Sequence, residues 1–309
     1  FIFLMQKWKI SSNFNSNKLI KKRYQMRTVL ITGVSTGIGK SIAEELLRNN
    51  FYVIGSVRKQ EDAKHLSEKF PNKFNSVIFD VTDYKSIEES KIGVKNILKA
   101  NDSYLCSIIN NSGIALGGPV QYLDIEIFKK QFEVNLFGVV SVTNIFSKLL
   151  GAYKDSKHSG KIIMISSVSG KRSYPFVGPY TASKHALEGF SDSLRRELML
   201  YGIDVILVQP GPIKTAIWDK APSVDDNPFI GTDYEESLKI FYKEVVIKGK
   251  QGLESESVAK LIKQIIELKK PKTRYVISAN KLRDYYLPGL FSDRFFDKII
   301  AKMLRLIKK

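Results

Sequence analysis

The stretch Met26-Arg27-Thr28-Val29-Leu30-Ile31-Thr32-Gly33-Val34-Ser35-Thr36-Gly37-Ile38-Gly39 sets a short apolar, β-rich run against a glycine-rich turn. Residues 38–49 then repeat apolar positions at three- and four-residue spacing. The reading is strand, tight turn, helix. Glycines at such a turn permit backbone geometries closed to other residues and let a ligand come close. The first turn of the helix adds N–H groups without internal partners and the positive end of the helix dipole. After the first strand of an alternating α/β chain, that combination is suited to a pyrophosphate. Gly33, Ser35, Thr36, Gly37, Ile38 and Gly39 are therefore candidate cofactor-binding residues.

Outward from this turn the same alternation continues. Short apolar runs recur at 52–57, 76–79, 105–109, 161–166, 204–208 and 274–278, and helical periodicity fills 60–69, 84–100, 124–150, 180–201 and 254–268. Runs that are apolar without interruption are buried on both faces, and the connections are long enough for crossover helices. The expected fold is α/β: a single Rossmann-type doubly wound domain over 26–280 with a seven-stranded parallel sheet. Residues 216–251 interrupt the pattern and read as a substrate lid, since long insertions in compact domains are usually binding loops. Residues 281–309 read as a C-terminal helical extension. Residues 1–25, with six Lys/Arg and no acid, read as a disordered leader or as a stretch upstream of a true start at Met26.

Composition narrows the function classes. A chain of 309 residues with 43% hydrophobic and 26% charged residues is not a wholly disordered protein. No run approaches the roughly 18 apolar residues of a membrane span, and the opening apolar pentapeptide is too short for a signal core, with its charges on the wrong side. The expected location is cytoplasmic. Net charge is +18, six of it in the leader, and the chain is rich throughout in Lys, Asn and Ile. That pattern reads as composition bias, and no nucleic-acid recognition motif accompanies it. The single cysteine, Cys106, lies in an apolar run and reads as core packing in a reducing compartment. His65, His158 and His185 form no ligand-like cluster, so no metal site is expected.

The spacing Gly-x3-Gly-x-Gly resembles that of the short-chain dehydrogenase/reductase family, and the resemblance extends along the chain. Asp80-Val81, Asn110-Asn111-Ser112-Gly113, Asn135, Ile165-Ser166-Ser167, Tyr180-Thr181-Ala182-Ser183-Lys184 and Pro210-Gly211-Pro212-Ile213-Lys214-Thr215 all fall in the family's order, over roughly 27–278. Tyr-x3-Lys occurs twice, but Tyr153/Lys157 sits in a polar loop-like stretch, whereas Tyr180 opens a strongly periodic helix. Helical spacing puts Tyr180 and Lys184 on one face. The resemblance implies Tyr180 as acid/base, Lys184 as its electrostatic partner and ribose ligand, Ser167 as donor to the substrate oxygen and Asn135 as holder of a proton relay. It also implies Asp80, Val81, Asn111, Gly113, Pro210, Gly211, Ile213 and Thr215 as further cofactor-binding positions. A lysine charge about 4 Å from the phenol, at an effective dielectric near 20, would lower its pKa by about three units.

Cofactor choice rests on the end of the second strand, Val57-Arg58-Lys59, which lacks the carboxylate that binds a ribose 2′-hydroxyl in NAD-preferring sites. Arg58 with Ser35 can hold a 2′-phosphate, so NADP(H) is favoured and NAD(H) is the alternative. Phe176 and Trp218, with the other aromatics of the lid, suit a lipophilic carbonyl or alcohol, and the arrangement resembles the hydroxysteroid and retinol dehydrogenase-like branch. The expected activity is carbonyl–alcohol interconversion. A catalytically idle nucleotide-binding module is the alternative. The resemblance further implies a homodimer or homotetramer. Positions 295, 296, 299, 300, 303, 304 and 307 form an apolar stripe with basic residues opposite. Such a helix can rest peripherally on an anionic membrane or cover the cleft, and packing against the domain is the favoured expectation.

Overall fold

The computed structural model describes residues 25–215, 218, 227–247 and 249–307. Seven parallel strands form its sheet: β1 (Met26–Thr32), β2 (Tyr52–Val57), β3 (Phe74–Ile78), β4 (Ser103–Asn110), β5 (Lys161–Ile165), β6 (Asp204–Pro210) and β7 (Arg274–Ile277), in the order β3-β2-β1-β4-β5-β6-β7. Central strands are apolar on both faces because both faces are covered. On one side, Val29, Ile31, Ile163, Ile206 and Val208 pack against α1 (Gly37–Arg48) and α8 (Ser255–Glu267). On the other, Leu30, Leu105, Ile108, Ile162 and Leu207 meet α3 (Tyr84–Ala100), α5 (Gly138–Phe146) and α6 (Gly178–Leu198). Right-handed crossovers placed on opposite faces diverge between β1 and β4, and a crevice opens at the carboxyl ends of those strands. The seven-stranded parallel architecture matches the expectation from the sequence.

Three segments differ from their sequence reading. The 60–69 segment begins with a tight turn at Gln60–Ala63, and only Lys64–Lys69 is α-helical (α2). The single helix expected over 124–150 is two, α4 (Ile125–Phe132) and α5, joined by a wider π-helical turn at Glu133–Phe137. The cause is tertiary. Gln131 and Asn135 turn inward to bond the backbone of Leu116 and Ile114, and a Cβ at Gly138 would lie 2.8 Å from the Val81 carbonyl oxygen. A straight α-helix cannot meet both demands, and one extra residue per turn relieves them. In the expected lid, residues 216, 217, 219–226 and 248 lie outside the described residues, as do 1–24 of the leader. The described remainder of the lid is more regular than expected. It forms α7 (Glu235–Phe241) and a π-helical turn at Tyr242–Ile247, with Tyr234, Leu238 and Phe241 facing one cluster.

β1 and β4 are tied where they leave the sheet. Thr32 Oγ1 accepts from the Asn111 N–H at 2.9 Å and the Ser112 N–H at 3.0 Å. Thr32→Val keeps the shape and removes that acceptor, leaving two amides without a partner. The expected outcome in urea denaturation is a loss of about 1–3 kcal/mol. An unchanged midpoint would show that the tie contributes nothing.

Candidate active site

The glycine turn is built by contacts that exclude side chains. Gly33 (φ +71°) and Gly37 (φ +57°) adopt left-handed backbone, which costs other residues roughly 1 kcal/mol or more. A Cβ on Gly39 would sit 2.0 Å from the Gly33 carbonyl oxygen and 2.4 Å from Asn111 Nδ2. Asn111 Nδ2 donates to the carbonyls of Thr32 (2.9 Å) and Gly33 (3.0 Å), while the Gly33 N–H donates to Ser56 Oγ (3.1 Å). Asn111 thus acts as a clamp between strand end and turn. The N-cap of α1, Thr36, makes no side-chain cap and the first turn carries no acid, so the helix end keeps its positive potential. Ser35 and Ile38 are half-buried beside it and Thr36 is exposed.

The other expected cofactor positions lie at the same edge of the sheet. Arg58 leaves β2 exposed and without an ion pair among the described residues. Asp80, after β3, is half-buried, and its Oδ1 accepts from the Thr82 N–H and Oγ1; Val81 is buried against the base of α5. Pro210 ends β6 and Gly211, Ile213 and Thr215 follow it, and a Cβ on Gly37 would touch Thr215 Cγ2 at 3.3 Å. A dinucleotide fits this set. The turn has no side chain to obstruct it, the helix end offers donors, and Arg58 is a free cation at the second strand.

The tetrad expected from the resemblance converges one strand further along. Ser167 ends β5, and Tyr180 lies in the first turn of α6, half-buried, with its hydroxyl hydrogen-bonded to the Ser167 side chain. Lys184 is buried, with Nζ 5.8 Å from the Tyr180 ring centroid and donating to the Ile165 carbonyl at 2.8 Å. A Cβ on Gly113 would lie 3.3 Å from Asn135 Oδ1 and 3.9 Å from Lys184 Nζ, so the clamped loop reaches the lysine. Asn135 is fully buried: its Oδ1 accepts from the Ile114 N–H (2.9 Å), and its Nδ2 donates to the Ile114 carbonyl (3.0 Å) and Ser183 Oγ (3.1 Å). Its side chain fastens the loop to α6. Tyr153, of the second Tyr-x3-Lys, is exposed in a turn-rich stretch remote from these contacts.

Electrostatics differ from the expectation. Burial raises the Tyr180 phenol above its ordinary value, and the Ser167 hydrogen bond only partly offsets it. Burial also pulls Lys184 down to about 8, with Glu188 opposing. The protein alone therefore does not bring the phenol toward neutrality, because desolvation outweighs the attraction expected from a lysine whose ammonium is directed to a carbonyl. Folded Lys184 releases its proton below the unfolded value of 10.5, so its burial costs stability below about 8 and that cost disappears as pH rises to 10.5.

One group was not singled out in the sequence. Glu188, almost fully buried, follows Tyr180 and Lys184 at four-residue intervals on α6. Its carboxylate accepts from Gln209 Nε2 (2.9 Å) and Arg274 Nε (2.9 Å), and Arg274 also pairs with Asp192 (2.9 Å). The signal was present in the i, i+4, i+8 spacing, but its partners come from β6 and β7 and cannot be read locally. Of the expected substrate residues, Phe176 is buried against Tyr234 and Phe241, with ring centroids 5.8 and 5.5 Å away. Trp218 is half-buried, donating Nε1–H to the Ile213 carbonyl at 2.7 Å. Phe176, Tyr234 and Phe241, with Leu238, form an aromatic-rich roof.

The sequence model of the short chain dehydrogenases matches residues 27–225. An NADPH-dependent 3-dehydrocapnine reductase from Ornithobacterium rhinotracheale is 45% identical over 280 residues, covering 91% of this chain and 98% of that protein. Retinol dehydrogenase 7 of Rattus norvegicus is 31% identical over 238 residues, 77% of this chain and 72% of its own length. Among solved structures, a short-chain dehydrogenase from Streptomyces avermitilis superposes with a TM-score of 0.70 at 23% identity, over 92% of this chain and 100% of that one. The chain belongs to the short chain dehydrogenase family of oxidoreductases, as the resemblance implied.

Glu188→Leu would leave Gln209 and one edge of the Arg274 guanidinium facing an apolar side chain. The expected loss is about 3 kcal/mol in chemical denaturation, the lower end for a broken buried pair because Arg274 keeps Asp192. A loss below about 0.5 kcal/mol, the level of an ordinary surface change, would show that the pair is not buried as described.

Proposed function

We propose that this protein is an NADPH-dependent reductase of a ketone or aldehyde carried on a lipophilic molecule. The observation that carries the reading is Tyr180, hydrogen-bonded to Ser167 and flanked by buried Lys184, at the carboxyl edge of the sheet that also bears the glycine turn. The 45% identity to the 3-dehydrocapnine reductase across nearly its whole length supports both the cofactor and the direction, and makes 3-dehydrocapnine the first compound to assay. The aromatic roof of Phe176, Tyr234 and Phe241 supports an apolar substrate.

NADP(H), when bound, supplies the hydride. The residues to hold it are the glycine turn with the N-terminus of α1, Arg58 with Ser35 for the 2′-phosphate, Asp80 and Val81 for the base, and the 210–215 loop with Tyr180 and Lys184 for the far end. Ser167 Oγ and the Tyr180 hydroxyl both offer hydrogen bonds to a substrate oxygen, and Tyr180 donates the proton as alkoxide character develops there. The raised pKa of Tyr180 keeps the phenol protonated at neutral pH, the state reduction requires. Lys184, held by the Ile165 carbonyl, stands behind the ring as the adjustable charge, and Asn135 keeps loop and helix in register. We assign 26–280 to the dehydrogenase domain, propose assembly as a homodimer or homotetramer, and place the protein in the cytoplasm. Among the described residues no helix is long and apolar enough to cross a membrane.

Tyr180→Phe should still bind NADPH, through the remainder of the cofactor site, and lose roughly a thousandfold in kcat, within the range for removal of a general acid. Retention of most of the turnover would overturn Tyr180 as the general acid. In a fluorescence titration, Arg58→Ala should weaken NADPH by about tenfold or more, consistent with loss of a charge-assisted pair, and leave NADH unchanged. Equal weakening of both, or tighter parent binding of NADH, would overturn the assignment of the 2′-phosphate site.

A further inference from the structure

The C-terminal helix α9 (Asp293–Leu304) uses only part of its apolar surface inside the protein. Its inner face carries Phe296, Ile300 and Leu304. Leu304 and Ile300 pack against Phe176 and Leu238, and Phe296 meets Tyr174 edge-on at 6.2 Å. Beside that face runs a second apolar row in which each residue stands four from the next: Phe291, Phe295, Ile299 and Met303, each 40–49% exposed, with Phe291 and Phe295 in ring contact at 4.9 Å and Leu290 77% exposed at its head. Contiguous exposed apolar surface on this scale marks an interaction site.

Charge identifies the partner. Arg294, Lys298 and Lys302 form a third row, also at four-residue spacing, and each immediately precedes a member of the exposed apolar row. All three are exposed and have no ion pair among the described residues. Several other surface helices carry lysines paired within the helix, as in Lys64–Glu68, Lys129–Glu126, Lys239–Glu235 and Lys263–Glu267. The acids of α9, Asp293 and Asp297, lie on the side of the helix away from the exposed apolar row. Arg305, beyond the basic row, is paired with Glu236 on α7 and so belongs to the roof. An apolar row bordered by unpaired cations, with acids turned away, is complementary to a surface that is apolar below and anionic above.

We propose that the outer side of α9 docks on an anionic lipid bilayer, with Phe291, Phe295, Ile299 and Met303 entering the acyl boundary and Arg294, Lys298 and Lys302 at the headgroups. The inner face stays on the protein, so docking needs no unfolding of the roof and brings the Phe176 cluster to the lipid surface.

The test is co-sedimentation of the full chain with vesicles of phosphatidylcholine alone and of phosphatidylcholine mixed equally with phosphatidylglycerol. Binding is expected to the mixed vesicles only. The Arg294→Gln/Lys298→Gln/Lys302→Gln variant is expected to lose it by on the order of a hundredfold, given the attraction of each cation near such a surface. Phe295→Ser/Ile299→Ser should abolish it as well. All substituted positions are exposed and outside the cofactor site, so unchanged NADPH binding and circular dichroism show that each variant is folded. Absence of binding to mixed vesicles, equal binding to both vesicle types, or parent-level binding by the triple variant would overturn the proposal. So would a dimer in sedimentation equilibrium that Phe295→Ser/Ile299→Ser dissociates, because the row would then face a second copy of the chain.

Discussion

The side-chain amide of Asn111 is the contact on which the remaining site geometry depends. It donates to the carbonyls of Thr32 and Gly33 from a point 79 and 78 residues away in sequence, and the Gly39 backbone closes against the same amide. The two N–H groups of a neutral amide suit this. A carboxylate would face two carbonyl oxygens without a donor, and an aliphatic chain would leave both acceptors in a poorly hydrated crevice. Once the amide is in place, the turn is held against β4 and the first helix points its N-terminus into the crevice. The 111–114 loop is then set at the height where Gly113 meets Asn135 and Lys184. The phosphate end and the chemical end of the site are thus joined by four residues of loop.

The second constraint is burial of charge along one face of α6. Tyr180, Lys184 and Glu188 lie one turn apart, and each has lost much of its water. Lys184 recovers part of that loss from the Ile165 carbonyl and from Glu188, which is itself satisfied by Gln209 and Arg274. Lys171 adds a further cation 3.8 Å from Glu188, but the closest anchors of the column are on the sheet. Its tilt is therefore set by strands β5, β6 and β7 together, which explains why a helix opening next to the roof can still hold a phenol against Ser167.

Much of this was legible in the sequence and some was not, for identifiable reasons. The alternation of apolar runs with helical periods carries strand count and parallel pairing, because burial on both faces imposes a pattern that no half-solvated strand shows. The glycine spacing and Tyr180/Lys184 pair were readable as local signals. The break in the 124–150 helix was not, since its cause is the demand of Ile114 and Leu116 for side-chain partners and of Val81 for space beneath Gly138. The burial of Glu188 was not legible because the groups that satisfy it, Gln209 and Arg274, come from strands distant in the chain. The phenol's upward shift was missed because the sequence gives spacing between charges but not the direction in which an ammonium is held. Phe176 and Trp218 were read from their chemistry as ligand contacts, and their packing partners Tyr234, Phe241 and Ile213 carry no local signal because tertiary structure brings them together.

Phe176 also shows how the roof is coupled to the chemistry below. Its φ of +65° is one that a bulky non-glycine residue adopts only under constraint, at a cost of about 1–3 kcal/mol that surrounding contacts must offset. Those contacts come from two directions. The Phe176 carbonyl accepts from the Gly118 N–H at 2.7 Å, with Gly117 backbone so close that a Cβ there would lie 2.1 Å from the same oxygen. Its ring is closed in by Tyr234 and Phe241 on the α7 side and by Leu304 of α9. Since Arg305 also ties the end of α9 to Glu236 of α7, the two helices act on Phe176 as one piece. Tyr180 follows one helical turn after Phe176, so the strained backbone, the contacts that offset its cost and the first turn of α6 are continuous in the chain.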